Sequence, residues 1–482
     1  MSLQNLEHRA AVKYFLELCA IPRGSGNEKE VSDFTADFGR KLGLDTIQDQ
    51  ANNVIIKKTG TTGFENAPRL ILQAHLDMVC EKNKDVEHDF TKDPIQVYQD
   101  GDFLRARGTT LGADNGVGVA MAMAILESSE LPHPPLTVIF TTEEEIGLFG
   151  AAALDAEHLD AARLINLDSG GDGVFTVGCA GGLRTVLTLS GRKEDLAGDY
   201  IGLKISIGGL LGGHSGGNIN EGRANSVKLL GRFFAKIAEN PAFIASLSGG
   251  DKENAIPREA EGIICIKSTD LPAITAALDI LIADIKNEYV NSDPKIQISY
   301  APVSDIASAF DRGTTNKIIA ALRLLPSGVQ NMDQNMPAYV ETSLNLGVVA
   351  VRGGDITFGH AIRSSVTSRK YDLLSQLQEV AGLLNARLEF NGDYPAWPYR
   401  QNSPLRDVFV EAEKDLSGAE PRLVNVHGGL ECGVFLEKNP GLDAIAIGAD
   451  VQNPHSPDES FSIPSLQRVW KLLVEVLGRL RR

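Results

Sequence analysis

The sequence predicts an α/β fold: a domain whose mostly parallel sheet is covered by helices on both faces, interrupted by an inserted α+β lid domain. Three observations predict it. Short apolar strands alternate with helical runs near the start, the texture turns to paired β-rich segments around residue 183, and the first pattern returns after residue 395. The expected division is therefore 1–182 with 396–482 for the first domain and 183–395 for the insertion. A length of 482 residues is itself too great for one ordinary core.

The elements follow in order. The opening MSLQNLEHRAAVKYFLEL reads as an amphipathic helix, without the apolar core of a leader. Residues 28–43 place Val31, Phe34, Phe38 and Leu42 at helical spacing. RLILQAH (69–75), LTVIFT (136–141) and RLINL (163–167) are short apolar strands, and GVGVAMAMAILES (116–128) between the first two is strongly helical. Such alternation builds parallel sheets buried on both faces. Functional groups gather at the carboxyl ends of their strands, and His75, Glu144, Glu145 and Asp168 fall there.

From residue 183, LKISIGG, GIICIKS, KIQISYAP, TSLNLGVVAV and ITFGHAIRSS are β-rich, with helices near 222–239, 270–288, 314–325 and 369–386. Paired strands with intervening helices predict an α+β insertion of two similar halves. YPAWP (394–398) is the expected return hinge, because its prolines break periodic structure. VNVHGGLECG, LDAIAIGAD and a helix from about 464 to 480 resume the first pattern.

Hydrophobic residues at 43% and charged residues at 23% describe a globular protein. A formal net charge of −17 argues against nucleic acid and against an anionic membrane surface as partners. No run reaches the ~18–20 apolar residues of a membrane span. The five cysteines are scattered without CxxC, which fits reduced thiols in a cytoplasmic compartment.

Five chemical signals stand out, each with a plainer alternative. His75 and Asp77 lie two apart at a strand end, so both reach one face, and a carboxylate there could orient an imidazole ligand; HxD alone equally describes a satisfied core histidine. Asp114 precedes a helix in a glycine-punctuated turn, where an N-cap is the alternative. TTEEEIG crowds three glutamates at the mouth of a buried strand, costly unless cations neutralise them, or else a solvated turn. Asp168 ends another apolar strand, and His455 occupies a proline-flanked loop after AIAIG, where an exposed loop histidine is the alternative. Together, two histidines and three carboxylates at strand ends or the loops after them suit zinc. They exceed the needs of one catalytic ion, and two ions sharing a bridging carboxylate would use them all.

HLDMV, ARGTTLGADNG, EEIG, CAGG (179–182), GGHSGG (212–217), ENAIPREA (253–260), VETSLNLGVV, GGLECG (428–433) and PHSPDE (454–459) together resemble the aminoacylhistidine dipeptidases. These are the Xaa-His dipeptidases, or peptidase D, among the co-catalytic zinc exopeptidases related to carboxypeptidase G, the aminoacylases and peptidase T. The resemblance implies hydrolysis of Xaa-His dipeptides such as carnosine, with two divalent metal ions, zinc first and manganese or cobalt as substitutes. It implies that Asp114 bridges the ions, with His75 and Asp168 completing one site and Glu145 and His455 the other. Asp77 would orient His75, and Glu144 would be the general base. Ile146 and Gly147 fix that frame and leave Glu143 outside. His214 resembles the lid histidine that helps hold the substrate's scissile carbonyl or carboxylate, an exposed loop histidine being the alternative; in relatives it can come from a second subunit, so a homodimer is open. Asn254 and Arg363 are further substrate-carboxylate candidates, Arg suiting bidentate recognition, and Glu431 could meet a free amino group. A turn residue, a surface charge and a solvated loop carboxylate are their respective alternatives.

Within catalysis the rivals are an N-acyl amino acid hydrolase and a general di- or tripeptidase. A non-catalytic peptide- or metal-binding module would be expected to have lost ligands or the base. A serine or cysteine nucleophile is disfavoured, since Ser215 beside His214 lacks a strained strand-to-helix setting.

Overall fold

A computed structural model describes residues 10–196, 198–304 and 306–481. The expected N-terminal helix appears as Ala10–Cys19, and its first nine residues lie outside the described part. The chain forms two compact units, Met1–Cys179 with Trp397–Val426 and Leu430–Arg482, and Ala180–Ala396 with His427–Gly429. Three short segments differ from the expected division: residues 180–182, Ala396 and His427–Gly429 go with the inserted unit. There His427 Nε2 lies 2.7 Å from Ser343 Oγ, and Gly429 packs so close to Tyr394 that a Cβ would meet its ring at 2.8 Å.

The first unit is built on a sheet of order 45–48, 54–58, 136–141, 70–75, 163–166, 443–446, 174–179, 422–426. Strands Leu136–Thr141, Leu70–His75, Arg163–Asn166 and Asp443–Ala446 run parallel. Val174–Cys179 pairs antiparallel with Asp443–Ala446 and parallel with Arg422–Val426. LILQAH and LTVIFT are buried at every position, as strands covered on both faces must be. Helix Ala113–Glu127 is buried almost all round, which its alanines, valines and methionines allow. Helix Ile463–Arg479 is amphipathic by contrast, capped by Ser462 with Pro464 in its first turn. In-register pairing of His75 with Thr141 aligns the carboxyl ends of two strands, so their following loops emerge side by side.

The inserted unit repeats one β-α-β-β-α-β motif. Its first half orders strands 297–303, 200–208, 260–267 and 242–249, with helices Ser226–Ile237 and Leu271–Glu288. The second orders 340–352, 355–364, 181–190 and 387–394, with helices Arg312–Leu324 and Thr367–Leu384. Both are the antiparallel split-βαβ arrangement. They join at Gly249 and Val349. The first half is nested in the second, entering after strand 181–190. Alternation along Tyr200–Gly208 buries Leu203, Ile205 and Ile207, and Pro302 sits on an edge strand, where a missing N–H is tolerated. No helix among the described residues is long and apolar enough to cross a membrane.

Candidate metal centre

His75 ends its strand wholly buried. Its Nδ1 lies 3.3 Å from Asp77 Oδ1, and its Nε2 lies 3.2 Å from Asp114 Oδ1 and 3.4 Å from Asp168 Oδ1. The other oxygen of Asp114 lies 3.4 Å from His455 Nε2, which is also 3.0 Å from Glu145 Oε1. One carboxylate therefore faces two histidines, one through each oxygen. Among the described residues, three groups of ligand-type atoms have all members within 4.8 Å: His75, Asp114 and Asp168; His75, Glu144 and Glu145; Asp114, Glu145 and His455.

Asp114 is not the N-cap. Gly112, at φ 70°, holds that position without a side-chain bond, and Asp114 departs from helical geometry at φ −80°, ψ 109°. The orphan N–H groups are taken by Glu459, whose carboxylate accepts from Leu111, Gly112, Ala113 and Asp114 at 2.8–3.2 Å. Buried Arg23 ties the same turn to the strand end, donating to the carbonyls of Leu76, Asp77 and Gly112. Asp114 is thus aimed by a carboxylate distant in sequence rather than by its helix.

Asp77 does more than face His75. Its oxygens accept from Glu144 N at 3.1 Å, Glu145 N at 3.2 Å and Ser25 Oγ at 2.7 Å. Burial raises its carboxyl, but the bonds from His75, Ser25 and the Glu144 N–H win and hold it down at about 2. Glu143 sits at φ 51° and His455 at φ 60°, backbone positions uncommon for residues with a Cβ and concentrated at functional sites.

Beneath the cluster runs a row of buried amides. Asp168 N donates to Asn166 Oδ1 at 3.1 Å, and Asn166 Nδ2 to Gln73 Oε1 at 2.6 Å. Gln73 Nε2 and Thr141 Oγ1 both donate to Glu431 Oε2. Glu431 is 0% exposed, so it is no solvated loop carboxylate, and its Oε1 is buried without a hydrogen-bond partner.

The donor set fits divalent cations. Burial pushes Asp168 up to about 8 and Glu431 to about 7. Glu144 is raised well above the usual range by burial, with Asp168, Glu431 and Glu145 adding to it. Hydrogen bonds donated to Asp114 and Glu145 draw His455 up to about 10. Two histidines and four carboxylates meet in these groups, and metal binding to such ligands would release the protons they hold.

In the inserted unit, Arg363 is 8% exposed, not a surface charge. Its Nε donates to Ser215 Oγ, its Nη1 to Tyr394 Oη, and its Nη2 lies beside His214 Nε2, each at 3.2 Å. His214 is exposed. Asn254 lies in a turn and accepts from Ser215 N through its carbonyl at 2.8 Å. The structure thus gathers His75, Asp77, Asp114, Glu144, Glu145, Asp168, His455 and Glu431 in the first unit and His214, Asn254 and Arg363 in the second. Sequence reasoning missed Ser25, Arg23, Gln73, Asn166, Glu459, His427 and Tyr394. For Gln73 and Asn166 the available signal was a polar residue in the buried stretch of an apolar strand, LILQAH and RLIN, since such a group must be partnered.

Comparison with known proteins decides the lineage. The profile described as peptidase family M20/M25/M40 matches residues 71–479. The chain belongs to that family. It is a metallopeptidase, a hydrolase of peptide bonds. It is 38% identical over 464 residues to the cytosol non-specific dipeptidase of Escherichia coli (strain K12), covering 96% of each chain. The crystal structure of an aminoacylhistidine dipeptidase from Vibrio alginolyticus superposes with a TM-score of 0.93 at 36% identity, covering 99% of this chain and 98% of that one. Aminopeptidase PepT from Bacillus cereus, at 16% identity and a TM-score of 0.58 over 98% of each chain, shares the fold.

Proposed function

We propose that this M20 chain is a cytoplasmic dipeptidase that hydrolyses dipeptides with a free amino terminus, using two zinc ions. The observation that carries the reading is the placement of Asp114, with one oxygen toward His75 and the other toward His455. His75 and Asp168 would hold one ion, Glu145 and His455 the other, with Asp114 between them. When bound, the ions would activate water and polarise the scissile carbonyl.

The chain's own groups do the rest. Glu144 takes the proton from the attacking water and returns it to the leaving amine, and its raised affinity for protons suits a carrier. Asp77 fixes His75 and the turn of Glu144 and Glu145 together. Arg363, with His214 and Asn254, takes the substrate carboxylate. Glu431 Oε1, a buried acceptor without a partner, is the group we assign to the substrate ammonium.

The substrate we assign is Xaa-His, carnosine included, supported by the Vibrio relative's name. The Escherichia coli relative is named a non-specific dipeptidase, which favours a broader dipeptidase as the second reading. Metal stoichiometry on purified protein, paired with hydrolysis of Xaa-His dipeptides, other dipeptides, tripeptides and N-acetyl amino acids, separates them. Two zinc per chain with Xaa-His preferred is the expected result; equal rates on all dipeptides would establish the broader activity.

A further inference from the structure

The loop that carries His214 is closed by a residue the chemistry above does not use. Asp293 is 0% exposed. Its Oδ1 accepts from Leu211 N and its Oδ2 from Ala224 N, both at 2.6 Å. The two N–H groups are the two ends of the segment containing His214 and Ser215. Asp293 itself is held in a turn, its N donating to Tyr289 O at 2.9 Å and its O accepting from Ile296 N at 3.0 Å. Short bonds from backbone N–H groups to a carboxylate are of the charge-assisted, stronger kind.

Inside the clamp the loop is cross-braced. His214 N donates to Asn218 Oδ1 at 3.0 Å, Asn218 Nδ2 to Glu221 Oε1 at 2.8 Å, and Arg223 bonds both Glu221 and the carbonyl of Gly212. Gly213, at φ 133°, leaves no room for a Cβ, which would lie 2.5 Å from Asn218 Oδ1. Gly213 and His214 pair with Ile256 and Ala255, and Asn345 Nδ2 donates to the carbonyls of Glu253 and Ala255 at 2.7 Å each. The loop is therefore pinned along its length, and Asp293 joins its two backbone ends through one carboxylate.

We propose that Asp293 is a positioning residue: by clamping both ends of the 211–224 loop it sets His214 beside Arg363 and thereby the preference for a free substrate carboxylate. The proposal rests on the assignment of His214 and Arg363 to that carboxylate. A site on a braced loop discriminates only as sharply as its geometry is held.

The test uses the full-length, metal-loaded enzyme and compares kcat/KM for a dipeptide with that for its C-terminal amide. In Asp293→Ala the preference for the free carboxylate should fall about tenfold, the worth of one hydrogen bond of this kind. Asp293→Asn, which keeps one acceptor, should lie between and guards against loss of folding. Metal content should not change. Amide hydrogen exchange should accelerate within 211–224. Unchanged exchange there in both variants, or an equal loss on both substrates, overturns the clamp. Faster exchange with the carboxylate preference intact in His214→Ala upholds the clamp and overturns the carboxylate assignment instead.

Discussion

His75 and His455 in the first unit and His214 and His427 in the inserted one are driven in opposite directions. In the first unit burial opposes the charge on His75, yet Asp168, Asp114 and Asp77 draw it well above its ordinary value, and Asp114 and Glu145 lift His455 to about 10. In the inserted unit burial lowers His214, and the Arg363 charge adds to it; burial, Arg363 and His214 push His427 down to about 3. The same side chain is surrounded by carboxylates in one place and by a guanidinium in the other. One region concentrates negative charge around its histidines and the other positive charge.

The largest effect should come from removing the proposed proton carrier while leaving the five proposed metal ligands in place. Glu144→Ala should lower kcat about 10²- to 10⁴-fold, with metal stoichiometry unchanged by elemental analysis. Full activity would dissolve the assignment. Next, Asp77→Asn leaves all the candidate ligands in place but weakens the support of His75 and of the glutamate turn. Loss of such support costs roughly 10–100-fold in metal affinity or activity, read by chelator competition, and His455→Ala should lower metal content outright.

On the anion side, Arg363→Lys keeps the charge and loses the planar fork. KM for a dipeptide should rise about tenfold while its amide is unaffected, and a parallel rise for the amide would erase the contrast between the regions. The smallest effect is on stability. His360, buried in the inserted unit, is lowered to about 3 by burial, with Lys228 adding to it. Its folded state prefers the neutral ring, so its contribution is complete above the unfolded value near 6.5 and fades as pH falls toward about 3. His360→Leu should flatten the acid limb of a urea-denaturation series over that window.

Much of this was legible in the sequence, for a physical reason. A buried parallel strand is a short apolar word, and a His, Glu or Asp just past its end stands out. The helices and strands of the insertion were legible from periodicity in the same way. The partners of those residues were not. Glu459 reaches the N–H groups of 111–114 across almost the whole chain, and Asp293 closes a loop from the far end of its half-domain. Such bonds leave no local pattern, because their meaning depends on what the fold brings near. His427 shows the same limit: VNVHGG reads as a strand and a turn, and only the pairing with Ser343 reveals which unit it serves.

The strand order of the first sheet also bears on how the molecule is made. Asp443–Ala446 lies between Arg163–Asn166 and Val174–Cys179, so two early strands stand apart until a late one slides between them. On the ribosome, both must wait with open edges through the emergence of the entire insertion. A chain truncated before residue 443 would keep those edges bare, a standing invitation to aggregate. His455 follows closely on Asp443–Ala446, so the strand that completes this sheet and the last of the candidate metal ligands belong to one stretch of chain.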